Sequence, residues 1–138
     1  MSHEKNIETA KKLLEGLSSG KDPDEIAAPF AEDLQFEIQG DDGVVPWVGR
    51  KRGRRALVDF VREIRLHTQP ISFDVEDILA SDERVAIVGA LQTRIKATDR
   101  ITKGQFAIIL TFANDVVTRF QMLEDSFDVS KAARRERL

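Results

Sequence analysis

Apolar positions along the chain follow two periods in turn. From about His3 to Ser18, Ile7, Ala10, Leu13, Leu14 and Leu17 fall on one face at helical spacing, and Gly20 supplies a stop. Asp22-Pro23-Asp24-Glu25 predicts a second, short helix. Asp22 caps it, Pro23 takes the first helical position and Glu25 completes a capping box, with Ile26, Ala27 and Phe30 on the buried side. The period then drops to two. Leu34, Phe36 and Ile38 alternate with Gln35, Glu37 and Gln39, the signature of a strand with one dry face. A Gly- and Pro-containing loop runs from Gly40 to Gly49. A third helix is expected from about Gly53 to His67, with Leu57, Phe60, Val61 and Ile64 as its stripe and Pro70 as its terminator.

Strands fill the remainder. Ile71, Phe73 and Val75 alternate with Ser72, Asp74 and Glu76, and further strands are expected over Val85 to Ile95, Gln105 to Ala113 and Val116 to Phe127. Asn114-Asp115 joins the last two as a hairpin turn. Helix, helix, strand, helix and then a run of strands predicts an α+β fold, with helices on one face of a mostly antiparallel sheet. One face of the long strands carries Val85, Ile87, Gly89, Leu91 and Thr93, then Phe106, Ile108, Leu110 and Phe112, then Arg119, Gln121, Leu123 and Asp125. The opposite face carries Ala86, Val88, Ala90, Ala107, Ile109, Thr111, Ala113, Phe120 and Met122. A solvated sheet face is ordinarily polar. Both faces here are dry, and no helix remains for the second. A second copy of the chain is its expected cover, giving a homodimer through the outer sheet face.

Composition narrows the chemistry. The 138 residues are 41% hydrophobic and 33% charged, enough for one domain spanning 1–138 with a core of its own. Cysteine is absent, which excludes disulfides, thiol nucleophiles and thiolate-held metals; with His3 and His67 as the sole histidines, no metal site and no cofactor are expected. A net charge of −3 provides no field for nucleic acid. No apolar run reaches membrane-spanning length and the first residues lack a signal-peptide core, so a soluble, cytoplasmic protein without nucleic-acid or membrane partners is expected. No phosphate loop, dinucleotide fingerprint or His-Glu-x-x-His spacing occurs, and Ser126 has no triad partners in view.

Several segments in order carry a family likeness. KDPDEIAAPFAED over Lys21–Asp33, Trp47-Val48-Gly49 leading into Gly53-Arg54-Arg55-Ala56-Leu57 with Phe60, and VTRFQMLED over Val117–Asp125 together resemble the nuclear transport factor 2-like superfamily, in its SnoaL-like and ketosteroid-isomerase-related branch. The resemblance implies a cone: a strongly curved, mostly antiparallel sheet wrapped around three helices, open at one end into an apolar pocket. It also implies a pocket for a small hydrophobic molecule, lined by Phe36, Ile38, Trp47, Phe60, Leu91, Phe106, Ile108 and Leu123, with Gln121 and Asp125 as polar contacts. Dimers through the outer sheet face are common in the family.

Carried over residue by residue, the ketosteroid isomerase machinery is missing. The position of the aspartate base falls on Ile38, that of the oxyanion-hole tyrosine on Leu14 and that of the protonated aspartic acid on Ile108; the chain has no tyrosine. Hydrocarbon neither takes a proton nor stabilises an oxyanion. SnoaL-like cyclases use an acid on the last strand, and Asp125 matches it; desolvation would raise its pKa toward neutrality. Three readings therefore stand side by side. The first is a binder of a small hydrophobic molecule. The second is a SnoaL-like cyclase, isomerase or dehydratase with Asp125 as acid/base, assisted by His67 or a water. The third is a dimeric interaction module with a vestigial pocket. The basic run Arg50, Lys51, Arg52, Arg54 and Arg55 has two readings: an attractor of anions, or a solvated face balanced by acids such as Asp41 and Asp42.

Overall fold

The structure, a computed structural model, describes residues 2–39, 49–124 and 133. Trp47 and Asp125, along with Asp41, Asp42 and Ser126, lie outside them. The elements run α1 (Ser2–Ser19), α2 (Pro23–Ala27), β1 (Phe30–Ile38), β2 (Gly49–Arg52), α3 (Arg54–His67), β3 (Thr68–Ala80), β4 (Arg84–Ile95), β5 (Arg100–Ala113) and β6 (Val116–Glu124). The strands form one six-stranded sheet in the order β2-β1-β6-β5-β4-β3. Among the described strands, only the β1–β6 pairing is parallel; the others are antiparallel. This is the expected α+β layout, with α1 against β3 and β4 and α3 against β1 and β3.

Local chemistry explains the boundaries. Asp22 caps α2 by accepting a bond from the Asp24 backbone N–H at 3.2 Å, and Pro23 opens the helix as expected. Asn114 and Asp115 both take positive φ, 51° and 64°, which is what a two-residue hairpin turn demands. The apolar stripe of α3 is buried at Leu57, Phe60 and Val61. Along α1 the buried side includes Ala10 and Leu13 and also Asn6, whose amide donates to the Asp82 carbonyl at 3.2 Å and ties the helix to the β3–β4 turn.

Three expectations need correction. Pro70 does not end α3: the helix stops at His67, and Pro70 sits inside β3, an edge strand where a missing N–H costs no ladder bond. The run Gly49–Arg52 is a short strand, its charged side chains tolerated because it too is an edge. Ile71, Phe73 and Val75 of β3 are 44%, 43% and 39% exposed; the strand's irregularities fall between Pro70 and Ser72 and between Val75 and Asp77, so the alternation from Ser72 to Val75 is kept. The largest correction concerns β6. Phe112 pairs with Val117 but Thr111 pairs with Arg119, so Thr118 is an extra residue on the strand. One bulged residue moves every later side chain to the other face. Phe120 and Met122 consequently face the helices, at 1% and 8% exposure, and Arg119, Gln121 and Leu123 face outward.

The core occupies the helix-bearing, concave face. Leu34, Phe36 and Ile38 of β1, Val85 and Ile87 of β4, Ile108 and Leu110 of β5 and Phe120 of β6 meet α1 and α3 there. Gly89 marks the tightest bend. A Cβ built on it would lie 2.1 Å from the Asp74 carbonyl oxygen, because β3 folds over the concave face at this point.

Candidate functional site

The concave face has an end packed with aromatic rings and an end where exposed and buried apolar side chains meet. At the filled end, Phe36 stacks on Phe120 with ring centroids 5.2 Å apart, while Phe60 from α3 contacts both at 5.6 and 5.9 Å. Offset and tilted rings at these separations are favourable beyond the area they bury. Phe36, Ile38, Phe60 and Ile108, all expected to line a pocket, share this packed region and are almost fully buried. At the other end, Phe106 stacks on Phe73 at 4.7 Å, and Leu91 pairs across the ladder with Phe73. Val75 pairs with Gly89, which pairs with Phe106. Cross-strand partners in an antiparallel ladder share a face, so Phe73 and Val75 belong to the concave side even though both are exposed.

The expected residues therefore divide. Phe36, Ile38, Phe60, Leu91, Phe106 and Ile108 are brought together on the concave face. Gln121 and Leu123 are not: the Thr118 bulge puts them on the outer face, opposite Ile109 and Ala107. Asp125, expected to point inward with them, lies outside the described residues. The acid whose register position does lie on the concave face is Glu124, paired directly with Phe106 and half-buried. His67 ends α3 with its Nε2 3.0 Å from the Glu63 carboxylate, an i,i+4 pairing on the helix surface.

The outer face carries its own polar cluster. The Glu37 side chain is only 12% exposed. Its Oε2 accepts from Arg50 Nε at 2.8 Å, and its Oε1 accepts from Arg119 Nη2 and Gln121 Nε2, each at 3.4 Å. The hydrogen bond from Arg50 holds the carboxyl below the ordinary glutamate value; partial burial opposes this, and Gln121 and Arg119 reinforce it. Much of the basic run is occupied structurally. Arg54 Nε donates to the Phe30 carbonyl at 2.8 Å, and Arg55 pairs with Asp59 at 3.5 Å. A shallow outer groove of about 290 Å³ lies between Ser72, Asp74, Gln92, Lys103 and Gln105. Phe73, Val75, Glu124 and Glu37 were not singled out from the sequence. The separation of three, an odd number, from Val117 to Phe120, two buried apolar positions, was the signal for β6; only Glu37's neighbours in space reveal its role.

The order of elements and the curled sheet over helices define an NTF2-like fold. An NTF2-like protein from Burkholderia xenovorans LB400 matches it with a TM-score of 0.86 at 25% identity, covering 97% of this chain and 99% of that one. TerC, co-crystallised with polyporic acid, matches at 0.76 and 14% identity over 94% and 98% of the two chains. An M. tuberculosis LEH-like epoxide hydrolase matches at 0.72 and 17% identity over 96% and 92%. Within this fold, residues 10–120 match the SnoaL-like domain, and the chain belongs to that family. No curated protein matches the sequence significantly.

Proposed function

We propose that this protein binds a small hydrophobic molecule at the open end of its concave face and does not perform ketosteroid-isomerase chemistry. The carrying observation is the contrast along one face: Phe73 and Val75 stay 43% and 39% exposed while Leu91 and Phe106 beside them are 8% and 3% exposed. Covering such surface is favourable by about 25 cal/mol per Å² of apolar area. An aromatic pair at the mouth suits a flat or cyclic apolar frame. The positions at which isomerase relatives carry their base and oxyanion donors are Leu14, Ile38 and Ile108, and the two isoleucines are buried among hydrocarbon. Support also comes from TerC, in which the same fold was co-crystallised with polyporic acid.

The test is a thermal-shift screen of hydrophobic acids, steroids and polyketide fragments, repeated on Phe73→Ser. A ligand of the native state raises Tm by mass action. A saturable rise in the wild type that shrinks in the variant supports the reading. A rise that Phe73→Ser leaves untouched overturns the proposed location.

The outer face supports a second proposal, self-association. Ala86, Val88, Ala107, Ile109 and Leu123 form its apolar centre; Arg50, Arg52 and Arg119 flank it at one edge, and Asp74 and Asp77 at the opposite one. A two-fold axis that exchanges the edges sets opposite charges against each other, which favours a second copy over an unrelated partner. Light-scattering molar mass on the wild type and Ile109→Glu tests it: a dimer that becomes a monomer is expected, and a monomeric wild type refutes it.

A further inference from the structure

We infer that two copies of the chain join with Arg52 of each on Asp74 of the other, and Arg119 on Asp77, around a two-fold axis passing over Ile109. This rests on the self-association reading above and supplies its geometry. The ladders fix where each residue stands on the outer face. Arg52, Gln35, Arg119, Thr111 and Arg84 form one row across the strands. The next runs through Gln121, Ile109, Ala86 and Leu79, and the third through Leu123, Ala107, Val88 and Asp77. Gln105, Ala90 and Asp74 belong to the fourth. The basic corner and the acidic corner are therefore diagonal to each other, with apolar side chains between.

The spacing of strands and rows places the second copy. Strands lie about 4.8 Å apart, and same-face residues along a strand about 6.8 Å apart. From Arg119 to Asp77 is thus about 14 Å across the strands and about 14 Å along them; from Arg52 to Asp74 it is about 24 Å and about 20 Å. The first line has its midpoint between Ile109 and Ala86, the second among Gln121, Leu123, Ile109 and Ala107. One axis lying in the interface through both midpoints crosses both lines at nearly right angles, so it exchanges their ends. Ile109 then meets its own copy, and the strands of the two sheets cross steeply, as in orthogonal sheet packing.

The charges are available for this. Arg52, Asp74 and Asp77 are exposed, and among the described residues their side chains make no hydrogen bond or ion pair. Arg119 reaches Glu37 Oε1 through Nη2 at 3.4 Å and keeps further N–H donors. Asp74 also stands on the wall of the shallow outer groove, with Ser72, Gln92, Lys103 and Gln105, so an incoming guanidinium meets a recess as well as a charge. Guanidinium–carboxylate pairing adds orientation to energy. Symmetry makes each contact twice. An unrelated partner would have to carry both acids and arginines at this same diagonal spacing, which a second copy does by construction.

The experiment measures the dimer dissociation constant of the full chain by sedimentation equilibrium, for wild type, Arg52→Asp, Asp74→Arg and the double variant. Each single reversal sets like charges against each other and is expected to weaken the dimer by about tenfold or more. The double variant is expected to return close to wild type. If a reversal fails to fold, crosslinking carries the test. The chain has no cysteine, so bismaleimidoethane reports only introduced thiols. Arg52→Cys combined with Asp74→Cys is expected to link copy to copy, the two positions being about 30 Å apart within one chain, and either variant alone is expected not to link. Single reversals that leave the constant unchanged, a double variant no tighter than the singles, or a double-cysteine dimer that does not link overturn the pairing and leave self-association standing. A wild type that stays monomeric at every concentration overturns both.

Discussion

Gly89→Ala adds one methyl group where β3 folds over the sheet. The new carbon would sit 2.1 Å from the Asp74 carbonyl oxygen and 3.0 Å from Phe106 Cε2. Ordinary heavy-atom contacts lie near about 3.5 Å, so the first contact is too short by more than an ångström. The Phe106 ring can turn slightly. The Asp74 oxygen cannot yield so easily, because it is backbone of a strand laddered to β4. Relief requires β3 to shift, and such overpacking costs roughly 1–3 kcal/mol, with a backbone clash toward the upper end. Alanine's smaller unfolded-state entropy offsets only about 0.4–1 kcal/mol. The net expectation is a loss of about 2 kcal/mol. Unfolding entropy of about 2.1 cal/mol/K per residue over 138 residues gives roughly 3 °C per kcal/mol, so Tm should fall by about 6 °C. Calorimetric melting of the two proteins measures this directly. A variant that melts at or above the wild-type temperature would refute the close approach of β3 to Gly89.

Other consequences are equally concrete. Phe120→Ala removes the ring that contacts Phe30, Phe36 and Phe60, and should cost about 3–5 kcal/mol in a denaturant melt, whereas a loss below about 1 kcal/mol would mean that the filled end is loosely packed. Asp22→Ala removes the α2 cap and should cost about 1 kcal/mol by the same assay. Glu37 is held below its ordinary pKa, so the native state binds fewer protons there and its contribution is present at neutral pH and lost as pH falls through the lowered value. Glu37→Gln should therefore be less stable than wild type at pH 7, with the gap closing in acid; a gap independent of pH would contradict the Arg50 pairing.

Much of the fold was legible because alternation survived intact where it mattered. Leu34, Phe36 and Ile38, and likewise Ile108 and Leu110, repeat at a strict period of two, and their burial follows it. The α3 stripe and the Asn114-Asp115 turn rest on equally local chemistry. The candidate site was less legible. Its deciding feature is a bulge at Thr118, marked in the sequence by nothing more than the separation of three between Val117 and Phe120, and it exchanged Gln121 and Leu123 for Phe120, Met122 and Glu124. The Glu37 cluster joins residues from β1, β2 and β6, and its members are far apart along the chain. Phe73 reads as an ordinary strand residue until its ring is set against Phe106.

The most direct test is an NMR titration of the full chain with 2-naphthol, following amide and methyl resonances. Binding at the open concave end predicts saturable shifts at Phe73, Val75, Leu91 and Phe106, with the outer-face positions Ala86, Val88 and Gln105 unmoved. Shifts confined to the outer groove around Gln92, Lys103 and Gln105, or no shifts at any concentration, would contradict it.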